Sequence, residues 1–224
     1  MATACVIVCG GGPNPALDQI ENLIQAYDQV YFVGADRGAL RLVRAGYELD
    51  VGLGDFDSVS EAERQVIEAH SQEFQAFPSE KDDTDGHLAL DMAMTRWPEA
   101  DYVALGFLGE RGGRLDHFLA NIWLAHQPRF QAGLSRLTLL EAHHKVRFLE
   151  PGHHVLAYEP CLYLSVISLT PVQGLSIQGA KYTLPATDFA SPQSLISNEY
   201  KASQEPVEIA FESGLVMIFW VNQV

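Results

Sequence analysis

The sequence is poor in cysteine, in basic residues and in long apolar runs. It has three cysteines among 224 residues, an odd number without paired spacing, which excludes a disulfide framework. No run approaches the roughly 20 consecutive apolar residues of a membrane-spanning helix. The N-terminus also lacks the basic start of a signal peptide. These absences predict a cytoplasmic protein with no membrane partner.

The shortage of basic residues gives a formal net charge of -15, from 14 Lys and Arg against 29 Asp and Glu. Proteins that bind nucleic acid carry a basic stripe, and the sequence shows none. The charge therefore argues against a nucleic-acid partner. It does not exclude a nucleotide, because a bound metal ion and a few Arg or Lys side chains can hold phosphates in an acidic protein.

Up to about residue 125, short apolar runs alternate with segments of helical periodicity. The strand-like runs are 4–9, 30–33, 51–53, 74–77 and 102–105, and the helical segments are 17–26, 39–45, 61–69, 88–97 and 118–125. Ser60 and Glu63 form a capping-box pattern before the third of these helices. Strands that alternate with helices predict a mostly parallel, Rossmann-like α/β sheet with flanking helices.

After residue 130 the pattern changes to strand-like runs separated by turn residues, without a convincing helix. These runs are 137–140, 146–149, 162–169, 175–178, 207–211 and 215–221. Such a pattern is typical of an all-β sandwich or small barrel. We therefore predict two domains, an α/β domain over residues 1–130 and an all-β domain over residues 135–224.

The most informative pair of residues is Asp55 and Asp57, directly after the apolar run 51–53. In extended backbone, residues two apart point to the same side, so both carboxylates would face one way and Phe56 the other. Ligands of open α/β sheets bind at the C-terminal edge of the strands, and adjacent carboxylates favour a cation. The pair predicts a divalent-metal site that carries a phosphorylated ligand; a solvated acidic turn is the alternative.

Two earlier junctions between a strand and a helix also carry groups that could contact a ligand at this edge of the sheet. Residues 10–12 are three glycines, and their amides could cradle a phosphate, although any tight turn would use the same glycines. Asp36 and Arg37 occupy the next junction, where Asp36 could instead cap its helix.

The fourth junction places Lys81 and Asp82 before Thr84 and Asp85. Acids in a first helical turn are favoured by the macrodipole and Thr84 is a suitable cap, so structure alone could explain these residues. Capping does not explain Lys81, a cation suited to pairing with a phosphate oxygen.

The fifth junction contains Arg114, Asp116, His117 and Asn121. Arg114 is a candidate phosphate clamp, and His117 and Asn121 share a helical face because they are four residues apart. Asp116 could be a helix cap. Four consecutive junctions nevertheless present an acid at the same edge of the sheet, which favours one common site over coincidence.

Taken together, these segments resemble the thiamine pyrophosphokinase family. The matching segments are 35–39, 54–58, 80–85, 113–117 with Asn121, 179–182 and 196–199. The likeness spans nearly the whole chain in the right order. It implies a nucleotide-binding catalytic α/β domain, a thiamine-binding β-sandwich domain and a homodimer. It also implies the reaction, in which the thiamine hydroxyl takes pyrophosphate from Mg-ATP and AMP is released.

The resemblance also implies roles for individual residues. Catalytic roles fall to Asp55, Asp57, Asp82, Asp116 and Arg114, the first three around Mg²⁺ and pyrophosphate. Roles in binding nucleotide or phosphate fall to Gly11, Gly12, Asp36, Arg37, Ser58, Lys81, Thr84, Asp85, His117 and Asn121. Ser197 and Asn198 match the segment that reaches thiamine across the dimer.

Two features depart from the family pattern. Residues 110–112 resemble an insertion in a loop that is usually tighter, and His87 stands where a glutamate is common.

Two other functions stay open from the sequence. One is a pyrophosphokinase that acts on a pterin-type alcohol, because substrate choice lies in the β domain. The other is a non-catalytic sensor of thiamine or a nucleotide. A sensor could lose Asp55 or Asp57 without losing its fold, so the acids argue against it.

Overall fold

The computed structural model describes residues 3–80 and 82–222. The chain divides into two compact units, Met1–Ala142 and His143–Val224, each with its own apolar core. Within the described residues, no helix combines the length and the apolar character that a membrane span requires.

The first unit contains a parallel sheet covered by helices. Its strands are β1 (Ala4–Cys9), β2 (Gln29–Ala35), β3 (Leu49–Gly54), β4 (Ser71–Ala76), β5 (Asp101–Leu105) and β6 (Leu137–Leu140), and its helices are α1 (Ile20–Ile24), α2 (Arg37–Arg44), α3 (Glu61–Ala69), α4 (Asp85–Arg96) and α5 (Leu115–Trp123). The strands lie in the order β6-β5-β1-β2-β3-β4, and each neighbouring pair is parallel. From Cys5 to Cys9, β1 is buried, as expected of a central strand with helices on both faces. The predicted Rossmann-like α/β arrangement is confirmed.

The ends of the helices follow their caps. The predicted capping box is present at α3, where the Ser60 amide donates to Glu63 Oε2 at 2.9 Å. Helix α4 begins three residues earlier than its apolar periodicity predicts, because Thr84 Oγ1 accepts the His87 amide at 3.2 Å. The helix predicted over residues 17–26 is shorter, with a 3₁₀ turn at Leu17–Gln19 before α1.

The boundary between the units lies later than the sequence predicts. Strand β6 was assigned to the all-β domain, but it pairs parallel with β5, with Leu137 opposite Tyr102. Parallel neighbours need a crossover connection, which α5 and the 3₁₀ turns of Pro128–Arg136 provide. A four-residue apolar strand has no pattern that tells which sheet it joins, so the predicted boundary between residues 130 and 135 is wrong.

The second unit is an antiparallel β-sandwich. Its strands are β7 (His144–Leu149), β8 (Gly152–Leu156), β9 (Tyr163–Ser168), β10 (Val172–Gln178), β11 (Leu184–Phe189), β12 (Ser194–Asn198), β13 (Val207–Phe211) and β14 (Val216–Val221). They form two layers with the strand orders β12-β9-β14-β7 and β11-β10-β13-β8. Apolar side chains from both layers form one core, which includes Val166, Ile177, Ile209 and Ile218. The predicted sandwich is confirmed.

Candidate active site

A cleft of about 450 Å³ lies at the carboxyl ends of the parallel strands of the first unit. Its walls come from the segments that follow β1, β2 and β5 and from residues of α2, α4 and α5. They include Gly10, Gly11, Gly12, Asp36, Arg37, Arg41, Thr84, Asp85, Gly106, Phe107, Gly109, Gly112, Gly113, Arg114, His117 and Asn121. This is the edge where open α/β sheets bind ligands. Eight of the residues predicted to bind the nucleotide therefore lie around one cleft.

Three carboxylates converge after β2 and β3. Asp36, Asp55 and Asp57 each offer an oxygen, and these oxygens lie within 4.8 Å of one another. Asp36 Oδ2 accepts the Ser58 hydroxyl at 2.6 Å, whereas Asp36 Oδ1 is buried without a hydrogen-bond partner among the described residues. Oxygen ligands suit Mg²⁺, and a buried carboxylate oxygen without a donor is a favourable position for a cation. The group fits a divalent metal ion.

The backbone brings these acids together by turns and not by an extended strand. Strand β3 ends at Gly54, and the next turn has Phe56 in the left-handed region at a φ of 57°. The buried Phe56 ring stacks on Phe74 at 4.8 Å, which holds the turn in place. The Asp57 amide donates to Asp55 Oδ1 at 3.2 Å. The predicted extended geometry is therefore wrong, although both carboxylates reach one site.

Asp36 also has left-handed backbone, with a φ of 51°. It precedes α2 but makes no side-chain capping bond, so the capping alternative does not apply to it. Gly54 lies against it at a φ of 147°, and a Cβ there would come within 3.1 Å of the Asp36 nitrogen. Strained conformations of this kind cluster at functional sites, where the surrounding structure maintains them.

The predicted metal ligands differ in part from the acids that converge. Asp82 is exposed and lies outside both the group of three carboxylates and the cleft lining, so its role as a ligand stays a prediction. Asp36, which the sequence suggested for nucleotide binding, takes the third place in that group. Lys81 lies outside the described residues.

The glycine turn after β1 does not present all of its amides to a ligand. The Gly10 amide donates to Leu105 O at 2.8 Å, and the Gly12 amide donates to Gly106 O at 3.0 Å. A Cβ on Gly12 would lie 2.4 Å from Gly106 O. Gly12 is thus required for the close approach of two loops. Because its N–H already donates to Gly106 O, the prediction that this amide helps to cradle a phosphate is wrong.

Three guanidinium groups line the cleft. Arg37 donates to the Ser58 carbonyl and Arg41 donates to the Gly12 carbonyl. Arg41 was not among the residues predicted from the sequence to bind phosphate, although it follows Arg37 by four residues and therefore shares its face of α2. Arg114 pairs with Asp116 through two hydrogen bonds, of 2.6 and 3.2 Å, which lower the pKa of the Asp116 carboxyl to about 2.

Helices α4 and α5 meet beside the cleft through a buried amide. Asn121 Nδ2 donates to Phe107 O at 2.6 Å, which fixes the segment that follows β5. His87, also buried, interacts with Asn121, and burial lowers the pKa of its imidazole, so the ring is neutral near pH 7. Asn121 and His117 both reach the cleft from α5.

Two family models match the sequence of this chain. The catalytic domain of thiamin pyrophosphokinase matches residues 22–134, and the vitamin B1 binding domain of thiamin pyrophosphokinase matches residues 153–216. The chain belongs to the thiamine pyrophosphokinase family. The first model spans β2 to α5, which contribute most of the residues that line the cleft, and the second spans β8 to β13 of the sandwich.

Individual thiamine pyrophosphokinases are similar along their whole length. The chain is 30% identical over 214 residues to the thiamine pyrophosphokinase of Bacillus subtilis (strain 168), over 94% of this chain and 95% of that protein. The crystal structure of a thiamin pyrophosphokinase family protein from Enterococcus faecalis superposes with a TM-score of 0.86 at 35% identity, over 99% of this chain and 100% of that one. The Bacillus subtilis crystal structure gives a TM-score of 0.78 at 27% identity, over 99% and 100%.

The residues that resemble the thiamine-binding segment of the family lie in the second unit. Asn198 is buried, and its side chain accepts the Tyr182 and Glu199 amides and donates to Tyr182 O, all at 2.8 to 2.9 Å. Ser197 is exposed at a φ of 60°, and its amide donates to Ser165 Oγ at 3.1 Å. Asn198 thus fixes the surrounding backbone, and Ser197 presents its side chain to solvent.

The two departures from the family pattern also have structural positions. His87 is the buried partner of Asn121 described above. The additional residues 110–112 lie in a loop with positive φ at Gly109, Arg111 and Gly112, tied to the glycine turn by Asn14 Nδ2, which donates to Glu110 O at 2.5 Å. The additional residues therefore extend one wall of the cleft.

Proposed function

We propose that this member of the thiamine pyrophosphokinase family transfers pyrophosphate from Mg-ATP to the hydroxyl of thiamine, which yields thiamine diphosphate and AMP. The observation that carries the proposal is the convergence of Asp36, Asp55 and Asp57 beside the cleft, which Asp36 lines together with three arginine side chains. Carboxylates that hold a metal ion and guanidinium groups that hold phosphates are the parts that phosphoryl-type transfer requires.

The reaction needs positioned charge and no covalent nucleophile on the protein. The hydroxyl oxygen of thiamine, as it loses its proton, forms a bond to the β-phosphorus, and the bond from that phosphorus to the α-phosphate oxygen breaks. Arg37, Arg41 and Arg114 bind the phosphate oxygens and stabilise the charge that develops on the departing AMP. Asp36, Asp55 and Asp57 would hold a Mg²⁺ ion, which would supply further neutralisation of the phosphates.

An assay of AMP release tests the function directly. With Mg-ATP and thiamine, we expect AMP and thiamine diphosphate in equal amounts. With a pterin-type alcohol in place of thiamine, we expect no AMP above the rate of ATP hydrolysis. Release with the pterin alcohol alone would favour the other pyrophosphokinase activity. Tight binding of thiamine or ATP without AMP release would favour a sensor.

We further propose that the enzyme is a homodimer whose subunits share each thiamine site. The phosphate-binding groups lie in the first unit, and the segment of Ser197 lies in the second. Apolar side chains also project from one side of α5, where Leu115, Leu119 and Trp123 are 78%, 50% and 59% exposed. An exposed apolar surface of this kind is typical of subunit contacts.

Complementation between two inactive variants tests the shared site. Asp55→Asn removes one of the three converging carboxylates of the first unit, and Ser197→Arg places a cation where cationic thiamine is expected. If each site combines the two units of different subunits, a mixed dimer retains one intact site, and random mixing restores about a quarter of wild-type activity. Analytical ultracentrifugation at micromolar concentration should show a dimer. No recovery in verified mixed dimers, or a fully active monomer, would refute the shared site.

A cytoplasmic location is part of the same proposal. Cys5, Cys9 and Cys161 are free thiols, and burial raises the pKa of Cys5 and Cys9 to about 12, so they are inert apolar residues. A chain with free thiols suits a reducing compartment.

A further inference from the structure

Glu141 contacts two of the loops whose residues line the cleft. It follows β6 and is 1% exposed. Its backbone forms an antiparallel bridge with Pro15, three residues after the last glycine of the turn at residues 10–12. Its Oε1 accepts the Leu108 amide at 2.9 Å, and its carboxylate also interacts with the Gly109 amide. Glu141 itself does not line the cleft.

The loop held by these contacts, residues 106–113, forms the wall of the cleft between β5 and α5. Three of its glycines, Gly106, Gly109 and Gly112, have positive φ. Because glycine permits many backbone conformations, the sequence of the loop does not by itself select one. The shape of the loop therefore depends on its attachments, of which the Glu141 carboxylate is buried and fixed.

The surroundings of Glu141 leave the carboxyl partly protonated at neutral pH. Burial raises its pKa to about 7; Glu110 in the loop also raises it, whereas the Leu108 and Gly109 amides and Arg41 from α2 lower it. Cys9 on β1 also faces the carboxyl. Glu141 Oε2 is buried without a hydrogen-bond partner among the described residues. Such an arrangement costs folding free energy, so stability of the core does not account for a carboxyl here.

We propose that Glu141 is a positioning residue for the nucleotide: by holding the amides of Leu108 and Gly109, it fixes the 106–113 loop in the shape that binds the triphosphate. This inference rests on the proposed function, in which the cleft binds Mg-ATP. Glu141 acts through the loop backbone and does not touch the reacting atoms.

Three substitutions separate this role from a general one in folding. Glu141→Met removes the acceptor at similar length and leaves two amides without a partner. Glu141→Asp keeps the charge but is too short by one methylene to reach them. Glu141→Gln keeps an acceptor oxygen and resembles the neutral carboxyl. Because unpartnered buried amides are costly, we expect the Mg-ATP dissociation constant to rise at least ~10-fold for Met and ~3-fold for Asp, and to stay within about threefold for Gln.

Titration calorimetry with Mg-ATP and, separately, with thiamine measures these effects. Thiamine affinity should stay unchanged in all three variants. Asp50→Leu is the matched control, since Asp50 accepts the Phe32 amide at 2.8 Å near the start of β3, at the opposite end of the strands from the cleft. It should lower the melting temperature and leave Mg-ATP affinity unchanged.

Each outcome decides the role of Glu141. If Mg-ATP binds more weakly to the Glu141→Met and Glu141→Asp variants and close to normally to Glu141→Gln, the result supports the role of Glu141 in positioning the loop. Wild-type affinity in the Asp variant, or in a folded Met variant, would overturn the inference, as would an equal loss of thiamine affinity. The Asp variant keeps the test decisive if Met does not fold. Absence of Mg-ATP binding by the wild type would instead overturn the proposed function, and the inference with it.

Discussion

Replacing Asp55 or Asp57 with asparagine is expected to lower turnover by at least ~100-fold, about 2.7 kcal/mol of transition-state stabilisation. The melting temperature of the metal-free protein should stay equal or rise. Oxygens of these two residues and of Asp36 lie within 4.8 Å of one another. Like charges at this distance repel when no cation is bound. Removal of one charge therefore reduces repulsion in the folded metal-free protein, while it also removes a ligand from the proposed metal site.

Steady-state kinetics and thermal unfolding in EDTA measure the two effects separately. Asp101→Asn serves as the control, because Asp101 begins β5 at the opposite end from the cleft and accepts the Tyr27 hydroxyl at 3.1 Å. It should keep wild-type turnover. Near-normal turnover in either the Asp55 or the Asp57 variant would remove the basis for the metal site.

ATP is expected to bind measurably only when Mg²⁺ or Mn²⁺ is present, whereas thiamine should bind with or without metal. Asp36 lines the cleft and converges with two further carboxylates in a chain of net charge -15, so a free tetra-anionic nucleotide is repelled. Repulsion between unit charges about 4 Å apart is on the order of 4 kcal/mol at an effective dielectric near 20, which suppresses metal-free binding by several hundredfold. Thiamine is a cation and does not meet this repulsion.

Titration calorimetry in EDTA and in excess Mg²⁺ decides this point. The double variant Asp55→Asn with Asp57→Asn should show a much smaller effect of metal, because neutral amides neither repel ATP nor hold the ion as well. Asp101→Asn should keep the wild-type effect. Equal ATP binding by the wild type in EDTA and in Mg²⁺ would mean that the three carboxylates are structural.

The strands that the sequence did not predict share one position in the sandwich. Strands β8, β11 and β12 lie at the outer edges of the layers of the second unit. In β11 and β12, most side chains are exposed or half-buried, so their sequences lack the apolar alternation that marks central strands. The parallel strands of the first unit were predicted well, since burial on both faces makes them continuous apolar runs.

At the candidate active site, the sequence predicted residues whose position follows from the order of strands and helices. Asp55, Asp57, Arg37 and Arg114 were found because junctions at the carboxyl ends of parallel strands must share an edge. Tertiary contacts were not predictable in the same way. The convergence of Asp36 with the acids after β3 depends on left-handed backbone, and the role of Glu141 depends on β6 lying beside β5.

The position of β6 determines where the chain can be divided. A fragment that ends at residue 134, where the match to the catalytic-domain model ends, would lose the strand and leave the unpaired edge of β5 open to other chains. It would also lose the carboxylate that holds the Leu108 amide. The smallest fragment that keeps both β6 and the Glu141 contact with the cleft loop therefore extends to Ala142.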